Sequence, residues 1–207
     1  EMCIRDSNSV VINASYRLKT SAYANAGLFK VRYTINSIGR LAVEYSFRRL
    51  LFKFVPRLGM LVEMPHNFEN ITYFGYDDET LSDFCEHSII RRVATQVSDM
   101  HVKYIKPQES GMRYNTFYAE ITDNDGTGMR FESKKPFVFN ANHYNAEQSA
   151  KATHKEDLLD YNTTNVQVDG YMLGAGSNAC GPLPTKGHKK FFVGSYSNSF
   201  VVTPIGD

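Results

Sequence analysis

One glycine-rich stretch near the C-terminus carries most of the side chains that could do chemistry. Residues 174–182 read Gly-Ala-Gly-Ser-Asn-Ala-Cys-Gly-Pro. They place a hydroxyl (Ser177), an amide (Asn178) and a thiol (Cys180) among small residues. Glycine loses the most backbone entropy on folding and proline donates no backbone hydrogen bond, so the stretch predicts a loop. Two interpretations stay open: a long connection between two strands, or a loop whose backbone a ligand can approach closely.

The loop does not match the glycine motifs that bind phosphate. A dinucleotide fingerprint opens a helix with G-x-G-x-x-G, but here Gly181 falls too late and Pro182 blocks a helix. The Walker pattern needs Lys and then Ser or Thr where Pro182 stands. Cys180 would be a nucleophile only if a cation or a helix start favoured its thiolate, and the sequence shows neither. Neither a phosphate site nor a thiol nucleophile is predicted.

The acidic residues do not identify a catalytic pair. Glycoside hydrolysis needs two carboxylates, about 5 Å or roughly 6.5–9.5 Å apart. Glu109 is the best single carboxylate, in the constrained turn 107–111. It either belongs to such a pair, for which spacing names no partner, or shapes that turn by accepting backbone N–H bonds. A third option is an epimerase that uses Glu109 with a histidine. The 6 histidines form no HExxH and the 3 cysteines no CxxC, so no metal site is expected.

Charge and hydropathy exclude several classes of function. The 207 residues include 23 basic and 22 acidic ones, for a net charge of +1. Nucleic-acid and membrane-surface binding both need massed basic residues, so neither partner is expected. No apolar run approaches the ~20 residues of a membrane helix, and residues 1–9 lack a signal-peptide pattern. We expect a soluble protein, with a cytoplasmic or a periplasmic location left open.

Alternating apolar and polar residues predict many short strands. The clearest pair is a hairpin, in which residues 29–35 and 41–47 alternate on either side of a turn at 36–39. Asp123-Asn124-Asp125-Gly126 makes a second tight turn. Such frequent strands and turns predict a large, mostly antiparallel β-sandwich.

One helix is expected within this sandwich. Asn145 can cap it, with Gln148 three residues later in the capping-box position, and its buried face continues to Leu158. The length suits one large domain. We assign the sandwich to residues 10–207 and place residues 1–9 outside the fold.

Three segments together resemble a known family. They are Pro-Arg-Leu-Gly-Met at 56–60 with Met-Pro at 64–65, then Pro-Gln-Glu-Ser-Gly-Met-Arg at 107–113, and then Thr-His-Lys-Glu-Asp-Leu at 153–158 with Asp-Gly at 169–170 and the 174–182 loop. In this order they resemble the C-terminal domain, or small chain, of lac-type β-galactosidases in glycoside hydrolase family two. The similarity runs from Val10 to Thr203.

The resemblance implies a sandwich similar to galactose mutarotases that is not catalytic alone. In that family the two catalytic glutamates and the magnesium ligands lie on a separate (β/α)8 barrel, so magnesium is expected only there and no cofactor in this chain. The terminal domain leans one loop over the barrel's active site. The match places Cys180, Asn178 and Ser177 against the galactoside. The implied partners are the barrel and the β-galactoside, and a homo-oligomer is left open.

Some residues depart from the family pattern. Where the family has Arg-Gly-Pro, this chain has Tyr76-Asp77-Asp78, and Asp83 is followed by Phe84 instead of Arg. A second family Arg is replaced by Phe117. These changes put the docking surface at residues 76–84 in question. They keep a second function open, a stand-alone carbohydrate-binding or structural sandwich. The family domain is also longer at its N-terminus, so its first strands are expected to be missing.

Overall fold

The computed structural model describes residues 2–5, 8–19, 26–49, 55–159, 162–176, 182, 184–188 and 195–206. Within these residues there are eleven strands, and every described strand pair is antiparallel. The prediction of a mostly antiparallel β fold is therefore confirmed. None of the helices in these ranges is long and apolar enough to cross a membrane.

The strands and helices are numbered in chain order. The strands are β1 Met2–Arg5, β2 Ser9–Leu18, β3 Gly27–Asn36, β4 Leu41–Arg49, β5 Arg57–Pro65, β6 Asn70–Tyr76, β7 Ile90–Gln96, β8 Arg113–Thr122, β9 Gly128–Asn142, β10 Thr163–Met172 and β11 Ser195–Ile205. The helices are α1 Val97–Met100 and α2 Ala146–Lys151, with short 3-10 turns at Lys155–Asp157 and Lys186–His188.

The long strand β9 belongs to two layers. The larger layer has the order β1-β2-β3-β4-β11-β9-β8-β6-β7. Residues 128–132 of β9 pair with β11 in this layer, whereas residues 138–142 pair with β10, which in turn pairs with β5. Strand β8 follows β9 through this change with two register shifts, one on each side of Thr116. Such irregularities let a strand bend, so β8 and β9 form a corner of the sandwich.

The hydrophobic core lies between the two layers. Val31 and Val43 from the larger layer share one cluster with Val166 and Val168 of β10. Residues 164–169 are all buried, because β10 lies between two neighbours and is covered on both faces. Full burial of such a side chain stabilises the fold by roughly 1.5–3 kcal/mol.

The predicted hairpin is present as β3 and β4. Strand pairing aligns Gly27 with Arg49 and Ile35 with Leu41. The side chain of Asn36 accepts hydrogen bonds from the backbone N–H groups of Ile38 (3.2 Å) and Arg40 (2.9 Å), which closes the turn.

The predicted helix begins as expected but ends early. The capping box is present: Asn145 Oδ1 accepts from Gln148 N at 2.9 Å, and Gln148 Oε1 accepts from Asn145 N at 2.6 Å. The prediction that the helix continues to Leu158 is wrong, because α2 ends at Lys151. The carboxylate of Asp157 binds the N–H and hydroxyl of Thr153 and so offers this backbone a non-helical partner. The sequence also did not predict the short helix α1 at Val97–Met100.

The chain start differs from the expectation that residues 1–9 lie outside the fold. Met2–Arg5 form β1, which pairs with β2 from Met2 opposite Asn13 to Arg5 opposite Val10. Four residues are too few for alternation to identify a strand.

Candidate functional site

The structure describes the base of the glycine loop. Residues 172–176 lead into the loop, and Pro182 with residues 184–188 leads back out of it. The three predicted site residues, Ser177, Asn178 and Cys180, lie outside the described residues. The described residues 172–176, 182 and 184–188 form the neck of the loop.

Two separate segments hold the first part of the loop. The backbone N–H of Leu173 donates to the carbonyl of Pro56 at 2.7 Å. The N–H of Gly174 donates to the carbonyl of His188 at 3.2 Å. The start of the loop is thus hydrogen-bonded to the residue before β5 and to the segment 184–188 that follows the loop.

Asp83 holds the next two residues. Its Oδ1 accepts from the N–H of Ala175 and its Oδ2 from the N–H of Gly176, both at 2.9 Å. Consecutive backbone N–H groups that converge on a carboxylate form an anion-binding concavity. A Cβ atom at Gly174 would run into the Asp83 carboxylate, so a larger residue there would have to displace that side chain. Bonds of this type to a charged acceptor are among the stronger hydrogen bonds in proteins.

The two limbs of the loop meet at Gly176. This residue has φ of +81°, in the left-handed region that favours glycine, and a Cβ there would lie 2.7 Å from the carbonyl oxygen of Pro182. Gly176 and Pro182, the described residues on either side of 177–181, therefore lie close together. Surface loops with closely spaced ends are often functional.

The turn that carries Asp83 is itself anchored. Thr80 is fully buried, and its N–H donates to the carbonyl of Met112 at 2.8 Å. Its hydroxyl accepts from the N–H of Tyr114 at 3.0 Å. Glu79 accepts from the N–H of Gly111 at 2.8 Å. The 79–84 turn, the end of the 107–113 motif and the glycine loop thus form one connected unit.

Sequence reasoning missed the role of Asp83. It treated residues 76–84 only as a diverged docking surface. No local signal could have shown this role, because Asp83 and the loop are 92 and 93 positions apart in sequence. The neighbouring Phe84 is 55% exposed.

Glu109 has a partner that neither sequence interpretation anticipated. Its carboxylate pairs with the guanidinium of Arg57 and accepts from Gln167 Nε2 at 3.4 Å. Arg57 also lies beside Asp169, with 3.5 Å between Nε and Oδ2. One guanidinium therefore lies between two carboxylates.

Asp169 is the buried member of this cluster. Its side chain is only 3% exposed. Burial raises the pKa of its carboxyl to about 7, against the lowering effect of Arg57. On β5 it faces Gly59, where any Cβ would collide with it. The sequence motifs named both Asp169 and Arg57 but did not place them together.

A register shift between Asp169 and Tyr171 is bridged by Tyr45. The hydroxyl of Tyr45 accepts from the N–H of Gly170 at 3.1 Å and donates to the carbonyl of Leu58 at 3.3 Å. Burial raises the pKa of this hydroxyl, which keeps it protonated as a donor.

His143 is paired with a carboxylate other than that of Glu109. It binds Glu69, with 2.7 Å between Nε2 and Oε2. Burial opposes ionisation of Glu69, but hydrogen bonds from Ser98 and the contact with His143 outweigh it and lower the pKa. His143 also stacks on His66, with ring centroids 4.0 Å apart. Within the described ranges, no group of three or more His, Cys, Asp or Glu side chains could hold a metal ion.

Comparisons with known proteins agree with these features. The family model described as "Beta galactosidase small chain" matches residues 2–202. A β-galactosidase of Staphylococcus xylosus is 30% identical over 159 residues, which are 73% of this chain and 15% of that protein. A β-galactosidase of Streptococcus thermophilus is 29% identical over 183 residues, 85% of this chain and 18% of that protein. The chain thus spans less than a fifth of the relatives it matches.

The similar solved structures are sugar epimerase relatives. A GalM/aldose epimerase homologue from C. elegans aligns with a TM-score of 0.46 and 13% identity, over 98% of this chain and 67% of that one. A galactose mutarotase related enzyme from Lactobacillus acidophilus aligns with a TM-score of 0.41 and 8% identity, over 99% and 70%. On the evidence of the family match, the chain belongs to the β-galactosidase small-chain family.

Proposed function

We propose that this chain is the terminal β-sandwich of a β-galactosidase, that it is not catalytic alone, and that its glycine loop completes the galactoside-binding site of a separate barrel domain. The observation that carries the proposal is the neck of the loop. Four consecutive backbone N–H groups, from Leu173 to Gly176, are all engaged. Contacts that are ordered before binding lose less entropy when a ligand arrives.

The loop tip supplies the contacts to substrate. Cys180 gives the sugar an apolar surface, while Asn178 and Ser177 offer hydrogen bonds to its hydroxyl groups. The relatives named as β-galactosidases are more than five times as long as the matched segment, which leaves ample chain for a barrel. Magnesium would belong to that barrel and not to the sandwich.

The described carboxylates support a non-catalytic role. Glu109 and Asp169 are two carboxylates on one guanidinium, because both are bound to Arg57. The burial of Asp169 keeps a sugar from reaching it. A glycosidase instead needs two carboxyl groups that flank an accessible scissile bond.

The test compares the chain alone with the chain plus its barrel. We expect the purified chain to show no turnover of a chromogenic galactoside. Mixing it with a separately produced barrel fragment of the same enzyme should restore activity. Turnover by the chain alone that survives rigorous purification would overturn the non-catalytic role. Full activity of the barrel fragment without the chain would overturn the contribution of the loop.

A further inference from the structure

A cavity lies beside the neck of the loop. It has a volume of about 320 Å³ and is bounded by β8, the bend of β9, the register shift of β10 and the start of β11. His188, whose carbonyl holds Gly174, lines it. Small-ligand sites have volumes of roughly 300–1,000 Å³, so this cavity suits one small molecule.

Three polar side chains of the cavity have no partner among the described residues. The side chains of Asn115, Lys135 and His188 line it and form neither hydrogen bonds nor ion pairs within that part of the chain. Ser82 also lines it, and no described residue forms a hydrogen bond to its buried hydroxyl. Burying a polar group without a partner is unfavourable, and a ligand that supplies the partner would recover that loss.

Asn115 has an unusual backbone conformation at this site. Its φ is +56°, in the left-handed region, and it lies in the stretch of β8 where the register shifts. A non-glycine residue is uncommon there, although Asn is among the residues that tolerate it best. Such conformations cluster at ligand sites, where the surroundings impose them.

Part of the cavity wall is aromatic. Tyr171 and Tyr196 both line it, with ring centroids 6.5 Å apart and ring planes inclined by 56°. Aromatic rings offer large apolar faces, while the amide, ammonium, imidazole and hydroxyl groups around them offer both donors and acceptors. A compact ligand with many hydroxyl groups and apolar C–H faces matches this combination.

We propose that this cavity binds one neutral hexose unit through the side chains of Asn115, Lys135 and His188. Lys135 donates to ring hydroxyl groups, and the amide of Asn115 both donates and accepts. These three groups are different residues from Ser177, Asn178 and Cys180, which the sequence assigned to the galactoside.

The experiment measures hexose binding to the 207-residue chain by calorimetry and ligand-observed NMR. The probes are galactose and glucose, with inorganic phosphate as a comparison. Asn115→Gly removes the amide and leaves a residue that adopts the left-handed region freely, so the fold should survive. Lys135→Met and His188→Phe remove the other two groups. Each variant should weaken binding about tenfold, the effect of losing one good hydrogen bond to the ligand. Lys103→Met, at an exposed position outside the cavity, is the matched control and should bind as the unaltered chain does.

Three outcomes would overturn the proposal. The first is that neither hexose binds at millimolar concentration. The second is that binding is unaffected by all three cavity variants, which would place the sugar elsewhere. The third is that phosphate binds and the hexoses do not, which would make the cavity an anion site. Because no barrel is present in this measurement, the result does not depend on whether the loop completes a galactosidase.

Discussion

Asp83 accepts a hydrogen bond from the backbone N–H of Gly176 at 2.9 Å, across 93 positions of sequence. The contact joins the turn after β6 to the loop that follows β10. Gly176 is also where the outgoing and returning limbs of the loop meet. Asp83 therefore fixes the backbone of Ala175 and Gly176, where the loop leaves β10.

Replacing Asp83 should impair substrate binding in the complete enzyme. Asp83→Ala removes two charge-assisted hydrogen bonds, each worth about 1.5–3 kcal/mol, and frees Ala175 and Gly176. We expect KM for galactosides to rise about tenfold or more, while the sandwich stays folded. Steady-state kinetics and melting temperature, measured on one preparation, check this.

The matched control for Asp83 is Asp125→Asn, in the exposed turn after β8. This control substitution should change neither the KM for galactosides nor the melting temperature. A lowered melting temperature with unaltered KM in the Asp83 variant would show that the contact only stabilises the fold.

Truncating Cys180 tests the loop tip itself. If Cys180 gives the galactoside an apolar contact, Cys180→Ala in the complete enzyme should weaken binding by about 1–2 kcal/mol. The effect should appear chiefly as a raised KM if the contact is equal in ground and transition states. A clear loss of stability with unchanged KM would instead assign Cys180 a structural role.

The buried Asp169 should make stability depend on pH. Its carboxyl has a pKa of about 7 in the folded chain, against an ordinary value of 3.8. Between these values the folded chain holds more protons than the unfolded one, so the free energy of unfolding should fall as pH rises from about 4 to about 7 and then level off. Asp169→Asn cannot titrate and should lack this slope.

Urea unfolding of both proteins across this pH range measures the difference. Taking the difference removes the contributions of other groups, among them Glu69, whose pKa is lowered. Parallel pH curves for the two proteins would contradict the burial argument.

Asn115 should respond to substitution through its backbone. Valine is β-branched and strongly disfavours the left-handed region, so Asn115→Val should lower the free energy of unfolding by roughly 1–3 kcal/mol. Asn115→Gly should be close to neutral, because glycine relieves the strain but is more flexible when unfolded. Denaturant titration of the two variants tests this, and an equal loss in both would mean that the side chain and not the backbone carries the effect.

Local rules were enough for several parts of this protein. The hairpin of β3 and β4, the capping box at Asn145 and the position of the glycine loop after β10 all follow from side-chain alternation, cap chemistry and turn residues. These signals act within a few residues and are readable in one sequence. The end of α2 could not be predicted from the sequence. Thr153 and Asp157 have the spacing of a continuing helical face, but Asp157 instead accepts hydrogen bonds from the backbone N–H groups of Thr153 and His154.

The site was decided by contacts that no local pattern encodes. The two bonds of Asp83 to the loop span 92 and 93 positions, and Arg57 lies beside Asp169 because β5 pairs with β10. The contact of Arg57 with Glu109 joins residues 52 positions apart. The sequence supplied the residue types: a carboxylate, glycines, an arginine. Which carboxylate is buried and which N–H groups it accepts from depend on strand pairing and packing, because burial and long-range hydrogen bonds exist only once distant segments are brought together.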